Sequence, residues 1–262
     1  MPVITLTTDL GTVDYYVSAV KATILRQLDN VNIIDISHNI PTFNIMHAAY
    51  VLKNVYQEFP SKSIHIIGVN TETNENNSHL AVYANGHYFI GTDNGIFSLL
   101  LDVKPDKIVE ITTSRESNNE NFPLKDVFAK VACHIDRGGT LEIIWNEINQ
   151  FSKEFAKLEA LHDKNSIKGS IVHIDHYGNA ITNINQRLFK DVAKGRSYTI
   201  NLGNKEHYSL NTIKKKYNDV HDGDAVALFI SNDFLAISIN NGSASSLMGL
   251  HINDIVRIDF KW

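Results

Sequence analysis

Apolar residues recur along the first half of the chain in two alternating periods. PVITLTT (residues 2–8) is β-rich, and Val17, Val20, Ile24 and Leu28 then stand at helical spacing. VNIIDIS (31–37) reads as a second strand. In PTFNIMHAAYVLKNVY, Asn44 is a candidate N-cap, with Ala48, Val51, Leu52 and Val55 as the predicted buried stripe. SIHIIGV (63–69) is almost continuously apolar, as expected of a strand covered on both faces. HLAVYA and HYFIGT flank Asn85-Gly86, a pair suited to the positive backbone angles of a type I′ hairpin, so the predicted sheet is mixed. TDNGIFSLLL follows as a strand-to-helix corner, KIVEIT as a strand, and DVFAKVACHIDRGG as a helix stopped by Gly138.

After about residue 160 the texture changes. SIKGSIVHIDHYGNAITNI, SYTINL, DAVALFIS, FLAISIN and DIVRIDF are alternating runs separated by Gly, Asn and Asp, which predicts a small antiparallel barrel or sandwich. SKEFAKLEALHDK (152–164) reads as a charged helical joint between the two halves.

Composition narrows the function classes. With 262 residues, 43% of them hydrophobic, the chain can bury a substantial core, and a net charge of −5 argues against non-specific nucleic-acid binding, which needs cationic surface. The one basic run, IKKKY (213–217), reads as a solvated loop or helix face. A single cysteine, Cys133, in an apolar pattern implies a core residue and no intrachain disulfide. The N-terminus enters a strand directly and no apolar run reaches membrane-span length, so the expected location is cytoplasmic. The twelve histidines lack ligand spacing, and phosphate-loop and nucleophile-elbow motifs are missing, so no metal or cofactor is expected.

Three stretches could carry chemistry. Asp9, in TTDLG at the end of the first strand, is placed either to grip the vicinal hydroxyls of a sugar or to cap the helix beginning near Asp14. TDNG (92–95) is either a second loop at the sheet rim or an Asx-turn. In IDHYGNAITNI (174–184) the Gly-Asn pair marks a bulge or a close backbone approach. There Tyr177 either stacks on a flat ring, with Asn179 offering its amide, or lies in the core of a tight bend.

TTDLGTVDYYVSAVKATIL, VNIIDISHNIPTFNIMHAAYVL, FIGTDNGIFS, DVFAKVACHI, HIDHYGNAITNI and NNGSASSLMGL together resemble the S-adenosylmethionine hydrolases, also called S-adenosylmethionine hydroxide adenosyltransferases, which share a fold with fluorinase and chlorinase. The resemblance implies an α/β fold: an N-terminal mixed-sheet α/β domain (1–158) followed by a small C-terminal antiparallel β-barrel (159–262). It implies a small-molecule ligand, S-adenosylmethionine or adenosine, held between subunits of a homotrimer, with no nucleic acid, membrane or cofactor involved. By the same resemblance Asp9 takes the ribose 2′- and 3′-hydroxyls and Phe43 covers the ribose. Tyr177 and Asn179 face adenine, although Ile181 replaces a possible stacking aromatic. Ser231, Asn232 and the backbone around Asn241 to Ser243 form the barrel edge that helps hold the base. The reaction implied is in-line displacement of methionine from C5′ by water.

At the positions that activate water in that family, the sequence departs from the pattern it otherwise resembles. Asn70 stands at the family's Asp position, Asn77 at its Arg position and Pro123 at its His position, while Lys125 and Asp126 keep the rest of that segment. An amide can orient water but does not take its proton at neutral pH. Two readings follow. One is a hydrolase using Asn70, Asn77 and Asp126, with Glu72, Glu75 or His79 recruited to orient water; the other is a binding protein for S-adenosylmethionine or adenosine that has lost turnover. Halide chemistry fits poorly: Thr73 falls near one halide donor position, but Asn121 to Leu124 supplies no side-chain hydroxyl.

Overall fold

A computed structural model describes residues 3–73, 77–111, 121–141, 146–203 and 208–261. The first half builds β1 (Val3–Thr8), α1 (Tyr16–Leu25), β2 (Asn32–Ser37), α2 (Ile45–Lys53), β3 (Ile64–Gly68), β4 (His79–Ala84), β5 (His87–Thr92), α3 (Ile96–Leu100), β6 (Lys107–Glu110), α4 (Ala129–Asp136) and β7 (Asn146–Glu147). The strands form one mixed sheet in the order β2-β1-β3-β5-β4-β6-β7. β2, β1, β3 and β5 run parallel, and β4 is antiparallel to both its neighbours. Asn85 (φ 51) and Gly86 (φ 78) are both left-handed, as the hairpin turn requires. The chain leaves β1 for β2 on one side and returns to β3 on the other. The sheet therefore has its switch point between β1 and β3, where the carboxyl ends of an open α/β sheet diverge and leave a crevice.

Helices cover both faces of this sheet. Ile4, Leu6, Ile64 and Ile66 pack with Val20 and Ile24 of α1 and with Ala132 of α4. Ile67, Val69 and Phe89 pack with Ala48 and Leu52 of α2 and with Phe97 of α3. Asn44 caps α2 by accepting the His47 N–H at 2.9 Å. The buried stripe of α2 is Ala48, Ala49 and Leu52, with Val51 and Val55 only half-buried, because the helix ends at Lys53 and Tyr56 fills the next core place. Cys133 is fully buried, and burial pushes its thiol up to about 11.

A polar string crosses the α2 face of the sheet. Thr5 Oγ1 and His65 Nδ1 lie 2.7 Å apart, and His65 Nε2 is 3.2 Å from His87 Nδ1. The rings of Tyr56, Phe59 and Phe89 surround His65. Burial, then the neighbouring His87, pushes His65 down to about 3, and burial lowers His87 as well.

The second half builds β8 (Leu161–His162), β9 (Ser166–Ile174), β10 (Ala180–Asn185), α5 (Gln186–Ala193), β11 (Ser197–Leu202), β12 (Ser209–Leu210), β13 (Ile213–Lys214), β14 (Ala225–Phe229), β15 (Phe234–Ile239), α6 (Ala244–Leu247) and β16 (Ile255–Lys261). They form a barrel-like sheet in the order β12-β11-β16-β9-β10-β15-β14-β13, with β8 added beside β9. The order begins and ends on strands that are consecutive in the chain, which is how a curling sheet approaches closure. The basic run at 213–217 thus begins as a short strand. Its core gathers Ile167, Ile171, Ile184, Ile200, Leu235, Ile237, Val256 and Ile258.

The chain divides between these halves at Ala156 and Lys157. Residues 152–164 contain no helix; the segment is extended and ends in β8, correcting the predicted helical joint. Phe155, Leu158 and Leu161 stay exposed and bury no helical stripe, and backbone N–H bonds from Ser152 to the Asp93 carboxylate and from Phe155 to the Ser98 hydroxyl hold the first part extended. Among the described residues, no helix is long and apolar enough to cross a membrane.

Candidate functional site

Asp9 follows β1 directly and sits at the switch point, its N–H bonded to the Gly68 carbonyl at the end of β3. Its carboxylate caps no helix: α1 begins at Tyr16 without a side-chain cap. Instead Asp9 Oδ2 accepts the Phe43 N–H at 2.8 Å, while Oδ1 has no hydrogen-bond partner among the described residues. Phe43 holds a left-handed backbone (φ 63), unusual for a bulky side chain, and its ring is 69% exposed. Asp9 and Phe43 thus form one unit, with a fixed oxygen, a free oxygen and an exposed ring.

The loop after β3 is pinned from several sides. Asn94 Nδ2 donates to the carbonyls of Val69 and Asn70 at 3.2 and 3.1 Å, Thr92 Oγ1 donates to the Thr71 carbonyl, and His79 Nε2 meets that same carbonyl at 2.8 Å. Asn94 Oδ1 also accepts the Ile96 N–H, so TDNG is an Asx-turn and a rim loop at once. The pinning leaves Asn70 exposed in a left-handed conformation (φ 50), with Glu72 and Thr73 exposed after it. Asn77 is buried and donates to the Glu72 carbonyl at 3.2 Å. His79 and Asn77 are therefore loop struts first; a ring nitrogen bonded to Thr71 is not available to orient water. Glu75 lies outside the described residues.

Beside this loop, residues 124–128 form a π-helical turn, a geometry frequent at functional sites. A Cβ on Gly68 would lie 2.6 Å from Leu124 Cδ1, so only glycine lets the turn come this close to β3. Asp126 sits in the turn, largely buried, with Lys125 Nζ 3.1 Å from its Oδ1. Asn121 is exposed just before it, and Pro123 is buried and brings no side-chain acceptor.

In the second half, Tyr177 is exposed at the β9–β10 turn and not in the core. Asp175 closes this turn: its Oδ1 accepts the N–H groups of Tyr177 and Asn179, and its Oδ2 accepts Asn179 Nδ2 at 2.8 Å. Asn179 therefore retains a carbonyl oxygen and one amide hydrogen for any ligand. Gly178 (φ 82) lies where a Cβ would meet Ser243 Oγ, and Ser245 N–H bonds to the Gly178 carbonyl, which draws Ser243 up to the turn. Ser243 Oγ accepts the Ser246 N–H, and the Asn241 amide donates to Asp222.

Ser231 and Asn232 do not join this group within one copy of the chain. The register Ala180↔Ile237 and Asn185↔Phe234 puts Asn179 near the end of β15 and the 230–233 turn at its beginning. The Gln186 N–H bond to Asp233 and the Asn232 Oδ1 bond to the Phe234 N–H belong to that other end. It was the family resemblance that grouped them with Asn241 and Ser243. Among the described residues, no cluster of His, Cys, Asp and Glu is arranged to hold a metal ion.

A polar network that the sequence reading missed is Thr8, His38 and Asp35, which meet behind Asp9 at the ends of β1 and β2. The signal was present as a hydroxyl preceding Asp9 and an Asp-x-x-His spacing at 35–38.

Comparison with known proteins covers both halves. Residues 4–144 match the family model of the SAM hydroxide adenosyltransferase N-terminal domain, and residues 169–257 match that of its C-terminal domain. The chain is 33% identical to the (R)-S-adenosyl-L-methionine hydrolase of Methanocaldococcus jannaschii, covering 98% of this chain and 96% of that protein. It is 25% identical to the enzyme of the same name from Thermus thermophilus, covering 95% and 96%. A crystal structure of an uncharacterised conserved protein from Thermotoga maritima superposes with a TM-score of 0.88 at 25% identity, covering 98% of this chain and 99% of that one.

Proposed function

Since the chain belongs to the S-adenosylmethionine hydroxide adenosyltransferase family, we propose that it binds S-adenosyl-L-methionine and displaces methionine from C5′ with water. The observation that carries this reading is the Asp9 carboxylate at the β1/β3 switch point, with one oxygen held by Phe43 N–H and the other open to a ribose hydroxyl. Phe43 covers the sugar, and Thr73 and Asn121 border the methionine end. Tyr177, the remaining valences of Asn179, and the segment from Asn241 to Ser243 receive adenine. Ser231 and Asn232 are left out, because the register removes them from that group.

The sulfonium carries its own leaving group, a neutral thioether, so the displacement needs no redox or metal cofactor. Water attacks C5′ in line, the C5′–S bond breaks with its electrons going to sulfur, and one proton is released; the work of the protein is alignment and acceptance of that proton. Asp126, in the π-turn packed on β3, is the carboxylate assigned to it, with Asn70 and Asn77 shaping the water-side loop by hydrogen bonding. The curated relatives are named for the (R)-sulfonium epimer, and the same epimer is assigned here.

A second reading, binding without turnover, has its own support: Asn77 spends its amide on the Glu72 carbonyl, and Pro123 brings no acceptor. A chromatographic time course separates the two. Purified protein given mixed sulfonium epimers is expected to release adenosine in proportion to protein while only the (R) epimer is consumed. Binding without adenosine over hours selects the second reading.

The working unit is proposed to be a homotrimer with sites shared between copies. Phe43, Tyr177 and Leu247, respectively 69%, 76% and 64% exposed, supply apolar surface for such a contact. Light scattering at micromolar concentration is expected to give three times the mass of the chain; a monomer that still turns over substrate would rule out shared sites.

A further inference from the structure

Behind Asp9 runs a chain of polar groups that the proposed reaction does not use. Thr8, fully buried, places Oγ1 2.7 Å from His38 Nδ1. His38 Nε2 is 3.0 Å from Asp35 Oδ1, and Asp35 Oδ2 takes the Lys21 ammonium. Burial works against the Asp35 charge, but the contacts from Lys21 and His38 outweigh it and hold this carboxyl below the usual range.

The charge on Asp35 sets the direction of the chain for the neutral His38 ring. The Nε2 approach is off the ideal N–H axis, yet a bare nitrogen lone pair 3.0 Å from a carboxylate would repel it, so Nε2 carries the hydrogen. In that neutral ring Nδ1 is the acceptor, and the Thr8 hydroxyl donates to it. That leaves the Thr8 lone pairs to face the Leu10 N–H, 3.4 Å away. Two backbone bonds stitch the same strand ends: Gly11 N–H to the His38 carbonyl, and Ile40 N–H to the Thr8 carbonyl. Asp9 lies inside this stitch, its carboxylate reaching across to Phe43 in the loop that follows His38.

We propose that Thr8, His38 and Asp35 are positioning residues that fix the Asp9 carboxylate for two-point recognition of a ribose cis-diol. This rests on the ribose reading of Asp9. Gripping two hydroxyls demands both carboxylate oxygens within fractions of an ångström of their places, which a free turn does not provide. The directed chain ties the peptide on each side of Asp9 to β2 and, through Lys21, to α1.

The test is calorimetric binding of adenosine and of 2′,3′-dideoxyadenosine, which lacks both hydroxyls. The wild-type protein is expected to prefer adenosine. In His38→Ala and Thr8→Val that preference should fall about tenfold, the scale of losing one well-made polar contact, while dideoxyadenosine binds as before. Thr8→Ser, which keeps the hydroxyl, should restore the wild-type preference. A preference that survives in both His38→Ala and Thr8→Val overturns the positioning role and leaves the ribose reading standing. Parallel loss of both nucleosides overturns it too, because the role is then general support of the fold. Equal binding of the two nucleosides by the wild-type protein removes the ribose reading of Asp9, and this role with it.

Discussion

Asp9→Ala is expected to weaken S-adenosylmethionine binding by about 1.5–3 kcal/mol, roughly 10- to 150-fold, the scale for losing hydrogen bonds to a charged group. The variant also leaves the Phe43 N–H without its acceptor, so part of the loss could come from a loosened loop. Asp9→Asn separates the two causes. Its side-chain oxygen can still accept the Phe43 N–H, but its other arm is a donor where the ribose needs an acceptor. Calorimetry is expected to find Asp9→Asn nearly as weak as Asp9→Ala. Unchanged affinity in both variants would take Asp9 out of the site.

Mild acid is expected to destabilise the N-terminal half through His65. In the folded chain this ring stays neutral down to about 3, whereas in the unfolded chain it takes a proton near the ordinary histidine value of 6.5. Above 6.5 both states are neutral and His65 adds no pH dependence. As pH falls from 6.5 toward 3, only the unfolded state gains the proton, so folding weakens by at most about 1.4 kcal/mol per pH unit. At pH 5 that amounts to about 2 kcal/mol, with a ceiling of about 4–5 kcal/mol near pH 3. Asp35 acts in a lower window, because a depressed carboxyl gives up its stabilisation only as pH falls through and below the usual carboxylate range. Urea unfolding at pH 7 and pH 5 should therefore show a loss in the wild-type chain that is clearly smaller in His65→Asn, the remainder coming from His87 and His47, which burial also lowers. Equal losses in the two proteins would mean that the acid response lies elsewhere.

How much of this was legible in the sequence depended on how local the cause was. Asn85-Gly86 marked its hairpin because the turn angles are a property of those two residues, and Asn44 marked a helix start for the same reason. Asp9 was legible as a rim residue because the switch from strand to helix periodicity follows it closely. The 152–164 segment misled because alternating charge imitates an exposed helix, while its actual anchors, Asp93 and Ser98, lie far back in the chain. The same distance hid the link between Thr8 and His38. Strand register, which periodicity does not reveal, separated Ser231 and Asn232 from the turn carrying Tyr177. Asn77 and His79 looked free to act on water until the loop they hold was in place.

The left-handed backbone at Phe43 sets the terms on which this protein can be engineered. A bulky residue held at φ 63 stores about 1–3 kcal/mol of strain, which glycine would not carry. Directed evolution for heat resistance alone would be drawn to Phe43→Gly, where relief of that strain is available in one step. The same step would strip the exposed ring from beside Asp9 and slacken the loop whose N–H holds its carboxylate. Durability and the proposed sugar recognition are thus opposed at this residue, and a thermostabilised lineage should be kept under selection for turnover whenever position 43 is allowed to vary.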